Sequence, residues 1–235
     1  MKPEKVATRE DWLIARKALL VREKEHTRQK DEITRARQAL PWVKVEKDYV
    51  FDTSNGPRRL ADLFEGCSQL ITYHFMFGPN WENPCKSCSF WADSYHGLGP
   101  HLAAQDITLI AVSSAPLERL VPFKERMGWD FEWVSSHRNS FNVDYDVGFG
   151  AERPKELPNA YNFGTLRHPP LDEMHGTSVF AKDDDGNVYH TYSTYGRGLD
   201  ATNAAYAYID LTPKARDGEP TSGNSMGWLK YHDCY

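Results

Sequence analysis

Hydrophobic and polar positions change period several times along the chain. Between residues 9 and 39, Trp12, Leu13, Ala15, Leu19, Leu20, Ile33 and Ala36 stand at helical intervals among many Glu, Lys and Arg. Thr8 and Asp11 supply a T-x-x-D capping signal in front of them. One long helix or two short ones are predicted, ending at Leu40-Pro41 because a residue before proline avoids helical backbone. The first half is amphipathic, so a main domain or a second subunit is expected to cover it. Next, "WVKVEKDYVF" (42–51) alternates as a half-buried strand does, and "TSNGPRRLADLF" supplies an Asn-Gly turn and a short helix.

The central part reads as alternating strands and helices. "SQLITYHFMF" (68–77) suits a strand buried on both faces, and a helix is expected from about Lys86 to Ala104. "ITLIAVSS" (107–114) is a second buried strand, "APLERLVPFKERMG" (115–128) a helix stopped by Gly128, and "FEWVSS" (131–136) a third strand. Short links between them argue for right-handed parallel crossovers in an α/β sheet. Residues 147–173 are rich in Pro and Gly without a period, and a loop of that length in a compact domain is usually functional or part of an interface. "TSVFAKDDDGNVYHTYSTYG" (177–196) predicts a hairpin turning at "DDDGN". "LDATNAAYAYIDL" (199–211) predicts a closing helix with Asp200 and Thr202 near its start. The expected organisation is a helical arm over 1–41, a main domain over 42–216 with 147–173 inserted, and a tail over 217–235.

Composition narrows the classes. The 235 residues include 40% hydrophobic and 26% charged positions and 30 aromatic side chains, which excludes disorder over most of the length. A net charge of −5 argues against a nucleic-acid partner, which needs a basic face to displace counterions. The N-terminus is charged where a signal peptide is apolar, and no window approaches the ~20 apolar residues of a membrane span. A soluble cytoplasmic protein is expected, with no membrane partner. No G-x-G-x-x-G or P-loop pattern occurs, so no nucleotide cofactor is implied.

Of the four cysteines, Cys67, Cys85, Cys88 and Cys234, two form a C-x-x-C in "NWENPCKSCSFW". In a reducing compartment a close pair more often means chemistry than stapling. If Pro84 ends the loop and a helix starts at or just after Cys85, the first thiol meets unsatisfied backbone N–H groups, which favour a negative charge. Such placement lowers a thiol pKa from about 8.5 into the range ~3.5–7.5. Cys88, one turn deeper and about 5–6 Å away, would be shielded and able to resolve a mixed disulfide on Cys85. Two other readings stand beside this one. Zinc would need further ligands; His96 and His101 are the nearest, but one continuous helix carries His96 about 12 Å along its axis from Cys88. A pair of merely buried cysteines is the other. No metal ligands are therefore assigned.

The order strand, C-x-x-C at a helix start, strand, helix, hairpin, helix is that of the thioredoxin fold. "FMFGPNWENPCKSCS", "VSSAPLERLVPFKERMGW", "FNVDYDV" and "VYHTYSTYGRGLD…YAYIDLTPKAR" go further. Together, from Trp12 to Arg216, they resemble a bacterial and fungal family of unknown function described as thioredoxin-like, or as dithiol-disulfide oxidoreductases, on the peroxiredoxin-like side of the superfamily. The resemblance implies a central mixed sheet with flanking helices, Cys85 as nucleophile and Cys88 as resolving thiol. It also implies a disulfide or peroxide substrate and an electron donor, both unidentified. Thioredoxins place a cis-proline opposite the C-x-x-C; the matching stretch here is "MHGTSVF", with His175, Gly176 and Thr177 and no proline. The peroxiredoxin signature P-x-x-x-T-x-x-C is not met, since Glu82 stands three before Cys85 and Pro79 six before it. A thiol peroxidase and a non-catalytic, metal-binding module remain the alternatives.

Further residues are candidates by position. Trp81, in the loop, is expected to face a substrate. Glu82 and Lys86 flank Cys85, the acid expected to raise its pKa and the base to lower it. His175 is expected opposite Cys85, where an imidazole stabilises a thiolate or moves its proton. Arg197, between two glycines, is placed either to meet a carboxylate or phosphate or to tie the hairpin to an acidic neighbour. A homo-oligomer through the N-terminal helices completes the expectations.

Overall fold

The computed structural model describes residues 5–216 and 226–235, and residues up to 41 form a unit separate from those that follow. The first unit is one continuous helix, α1 (Arg9–Gln38). Thr8 caps it: its Oγ1 accepts from the Asp11 N–H at 3.1 Å and donates to the Asp11 carboxylate at 2.7 Å. None of its residues is buried, and of the stripe that predicted a covered face Trp12, Leu19, Leu20 and Ile33 are exposed.

In the second unit, β1 (Val43–Lys44), β2 (Val50–Thr53) and β3 (Gly56–Arg59) precede the central strand β4 (Gln69–His74). Two helices follow, α2 (Lys86–Ala92) and α3 (Gly99–Ala103), then β5 (Ile107–Ser113), α4 (Leu117–Arg126), β6 (Glu132–Ser135) and α5 (Phe141–Asp144). Two short strands, β7 (Ala160–Tyr161) and β8 (Leu166–Arg167), pair within the insertion. The hairpin β9 (Gly176–Lys182) and β10 (Val188–Tyr195), a 3-10 helix at Gly196–Thr202 and α6 (Ala204–Ile209) come next. The main sheet has the order β1-β10-β9-β4-β5-β6-β2-β3. Within it β4, β5 and β6 run parallel, while β9 lies antiparallel to β4 and pairs with β10. The run β10-β9-β4-β5, with helices crossing between the parallel strands, is the thioredoxin-like arrangement.

Alternation along β4 divides two cores, one on each face of the sheet. Tyr73 and the following Phe75 pack with Cys88, Trp91, Tyr95, Phe123 and Trp133. Leu70, on the other face, packs with Phe51, Leu63, Ile110, Phe141 and Phe180. The strand therefore reads as a continuous apolar run because both of its faces are covered.

Three expectations are corrected. Residues 42–51 are not one strand: β1 pairs with β10 at one edge, and β2 pairs with β6 near the other. The polar stretch Glu46–Asp48 carries the chain between them. The helix expected from Lys86 to Ala104 is broken. Gly97, at φ +76°, adopts a backbone that side-chain-bearing residues avoid, and Pro100 stands in the first turn of α3, where its missing N–H costs nothing. The closing helix starts at Ala204, where the Asn203 side chain accepts from the Tyr206 N–H at 2.9 Å, rather than at Asp200 or Thr202. In the stretch set apart as a tail, residues 217–225 lie outside the described residues. Of 226–235, Leu229 and Tyr231 are buried in the second unit.

Candidate functional site

The loop from Gly78 to Pro84 carries the chain from the end of β4 to Cys85, and it is clamped from three sides. The Arg119 guanidinium donates to the carbonyls of Pro79 at 2.9 Å, of Glu82 at 3.1 Å and of Trp81, and lies 4.6 Å over the Phe77 ring. Trp81 Nε1 donates to Asp172 at 2.8 Å, so this half-buried indole ties the loop to the end of the insertion. The Tyr231 hydroxyl donates to the Pro84 carbonyl at 2.6 Å, and Pro84 itself is buried. Cys85 then donates its backbone N–H to the Met76 carbonyl at 3.1 Å, which docks the helix start against the strand end.

Cys85 is the N-cap of α2, and its sulfur accepts from the Cys88 N–H at 3.4 Å. The two thiols are close enough to share a hydrogen bond. That bond from Cys88 is the main cause that brings the half-buried Cys85 down to about 7 against the cost of burial; the N–H groups of Cys88 and Ser87 and the Ser87 hydroxyl add to it. Cys88 is 2% exposed, and its sulfur accepts from the Met76 N–H at 3.4 Å. Burial, and then the neighbouring Cys85 sulfur, push its thiol well above the usual range. All four cysteines are free thiols. The arrangement sets an accessible group that ionises near neutrality over a shielded one that stays protonated.

The other expected residues stand as follows. Glu82 and Lys86 are exposed, and the groups that lower Cys85 are Cys88 and Ser87 instead. His175 lies 6.2 Å, ring to ring, from Trp91 of the C-x-x-C helix and 6.4 Å from Tyr161. Burial lowers its pKa, so the imidazole is neutral at neutral pH. Gly176 is buried where a Cβ would come within 2.6 Å of the Tyr195 ring. Thr177 pairs with Tyr73 and with Thr194 in the sheet. There is no cis peptide among the described residues. Arg197 has a side chain 80% exposed and pairs at 3.3 Å with Asp200, three residues on in the same 3-10 helix.

Sequence reasoning missed Arg119, Tyr231 and Tyr73. The first stands in a helix read only as a crossover between strands, the second in a stretch read as a tail, and the third among apolar strand residues. A buried carboxylate was missed too. Glu173 is 3% exposed, accepts from Ser114 and, at 3.0 Å, from Asn142, and is pushed up to about 7 by burial with help from Asp172 and Glu152. It lines a cavity of about 240 Å³ together with Pro79, Ser114, His137, Asn142 and Glu152. Among the described residues no group of three or more His, Cys, Asp and Glu stands ready to hold a metal ion, and no helix is long and apolar enough to cross a membrane.

Sheet order and paired thiols thus define a thioredoxin-fold protein with a C-x-x-C at a helix start. The chain belongs to the family described as "Bacterial protein of unknown function (DUF899)", which matches residues 1–235. No curated protein matches it. Similar solved structures include the peroxidoxin BcpB of Mycobacterium tuberculosis, at 18% identity and TM-score 0.44 over 72% of this chain and 96% of that one. Peroxiredoxin Q of Xanthomonas campestris is 13% identical, with TM-score 0.47 over 73% and 98%. A yeast mitochondrial 1-Cys peroxiredoxin is 19% identical, with TM-score 0.42 over 77% and 84%.

Proposed function

We propose that the chain is a thiol-disulfide oxidoreductase in which Cys85 attacks a substrate disulfide and Cys88 resolves the mixed disulfide. The observation that carries this reading is the inequality of the two thiols: Cys85 ionises near 7 at the helix start, and Cys88, 2% exposed, is held protonated. A thiol with its pKa near ambient pH is the best attacking group, because thiolate fraction and nucleophilicity trade off. Attack by the Cys85 thiolate joins it to one substrate sulfur and releases the other as a thiol. Attack by Cys88 on the Cys85 sulfur then forms the internal disulfide and releases the second thiol. The two protons of the dithiol end on the two leaving sulfurs. An electron donor must restore the dithiol, which goes with a reducing, cytoplasmic setting. Among substrate classes a disulfide is favoured over a peroxide, because Glu82 stands where a peroxide-orienting hydroxyl is expected and its side chain is exposed.

Thiol counting after mild oxidation tests the reading. The parent is expected to lose two thiols and to regain them on reduction, while Cys85→Ser and Cys88→Ser each lose none through this pair. Unchanged counts in the parent would sink it.

A further inference from the structure

The Tyr73 hydroxyl is a buried polar group without a well-aligned hydrogen bond. Tyr73 is 1% exposed and central in the core that contains Cys88, and its ring meets those of Phe75 and Tyr95 edge-on at 6.0 and 5.2 Å. An unsatisfied buried hydroxyl costs about 1–3 kcal/mol, and such groups in native structures call for an explanation. The explanation lies next to it. The Cys88 thiol is within hydrogen-bonding reach of the phenol, and burial keeps that phenol un-ionised.

In the dithiol the Cys88 sulfur is neutral and accepts from the Met76 N–H at 3.4 Å, with the Tyr73 hydroxyl within reach but not well aligned. During resolution it must become a thiolate in an apolar, water-poor site, where a charge without donors is costly. We propose that the Tyr73 hydroxyl turns to donate to the Cys88 sulfur when that thiol ionises, and so sets the rate at which Cys88 attacks the mixed disulfide. This rests on the dithiol reading above and adds to it the device that activates the resolving thiol. The bond that forms is Cys88 sulfur to Cys85 sulfur, and the bond that breaks joins Cys85 to the substrate sulfur. The proton given up by Cys88 ends on the leaving thiolate, while Tyr73 keeps its own. The other titratable groups around Cys88 are Cys85, Tyr95 and Tyr161; burial raises both of these phenols, so neither carries charge at neutral pH.

The experiment uses the full chain with Cys67→Ser and Cys234→Ser, with and without Tyr73→Phe, mixed with the aromatic disulfide 5,5′-dithiobis(2-nitrobenzoate). The first equivalent of coloured thiol reports attack by Cys85, and the second reports resolution by Cys88. A hydrogen bond to a charged group is worth about 1.5–3 kcal/mol, which converts to a tenfold to hundredfold slowing of the second phase in Tyr73→Phe. The pH midpoint of that phase is expected to move up, with the first phase unchanged and the melting temperature little changed, since the lost hydroxyl makes no well-aligned bond in the resting fold. A second phase with the same rate and pH midpoint in Tyr73→Phe overturns the proposal and leaves the dithiol reading standing. Release of only one equivalent by the parent overturns both.

Discussion

Glu173 shows how a single residue couples the fold to pH. Its folded-state pKa of about 7 lies above the ordinary 4.5 because burial opposes its charge and only neutral groups, Ser114 and Asn142, donate to it. Between those two values the folded protein holds a proton that the unfolded chain has released. By linkage, stability is then highest below about 4.5, falls as pH rises through about 7, and levels off above. The contribution lost across that window is on the order of 2–3 kcal/mol. Glu173→Gln removes the titration. Urea unfolding at pH 5 and pH 8 is expected to show a drop in the parent that is smaller by this amount in the variant. An equal drop in both would mean that other groups carry the pH dependence. Nothing in the sequence around Glu173 marks it as buried, because it ends a segment that reads as a loop, and the bridge between Gly148 and Glu173 and the backbone bonds beside it join the two ends of that loop across a long stretch of chain.

At the scale of elements, the helix start that activates Cys85 was legible from Pro84 and the cysteine spacing. Its length was not, although Gly97 and Pro100 carried the signal: proline inside a helix removes an internal hydrogen bond, so a helix through residue 100 was disfavoured. The loop before Cys85 needs more than local sequence. Three of its carbonyls depend on Arg119, 34 positions downstream of Cys85, and no pattern of short range records such a contact. Arg119→Ala is expected to cost about 1–3 kcal/mol, because carbonyls held by a charged donor lose it. Amide hydrogen exchange over residues 80–85 is expected to speed up, with β9 and β10 keeping the protection of the parent. If exchange in the loop stays at the parent rate, the clamp is not what orders it.

Across the whole molecule, the parts of the fold that were legible are those with dense local signals: the buried strands β4 and β5, the turn at Gly186 and the Thr8 cap. The parts that were not are joined by contacts between distant positions. Residues 42–51 split because β1 and β2 find partners near opposite edges of the sheet, a choice that alternation alone cannot register. The C-terminal stretch looked like a tail because it is short and lacks a period. Yet Tyr231 packs edge-on against Phe123 at 5.1 Å and donates to Pro84, His232 meets Asp93 at 2.7 Å, and Asp233 pairs with Arg126 at 2.7 Å. The last residues thereby brace both the helix α4 and Pro84, the residue that precedes Cys85. Deleting 226–235 is expected to uncover Phe123 and Pro84, costing several kcal/mol from lost apolar burial at ~25 cal/mol per Å², and to alter the reactivity of Cys85 as the loop loosens. Tyr231→Phe isolates the hydroxyl: it keeps the packing and removes the bond to Pro84, at about 1 kcal/mol. Thermal melts together with iodoacetamide labelling of Cys85 across pH separate the two effects. The truncation is expected to lower the melting temperature and shift the labelling midpoint, and Tyr231→Phe to shift the midpoint with a small change in melting. If neither variant moves the midpoint, the C-terminal stretch holds the fold without tuning the thiol.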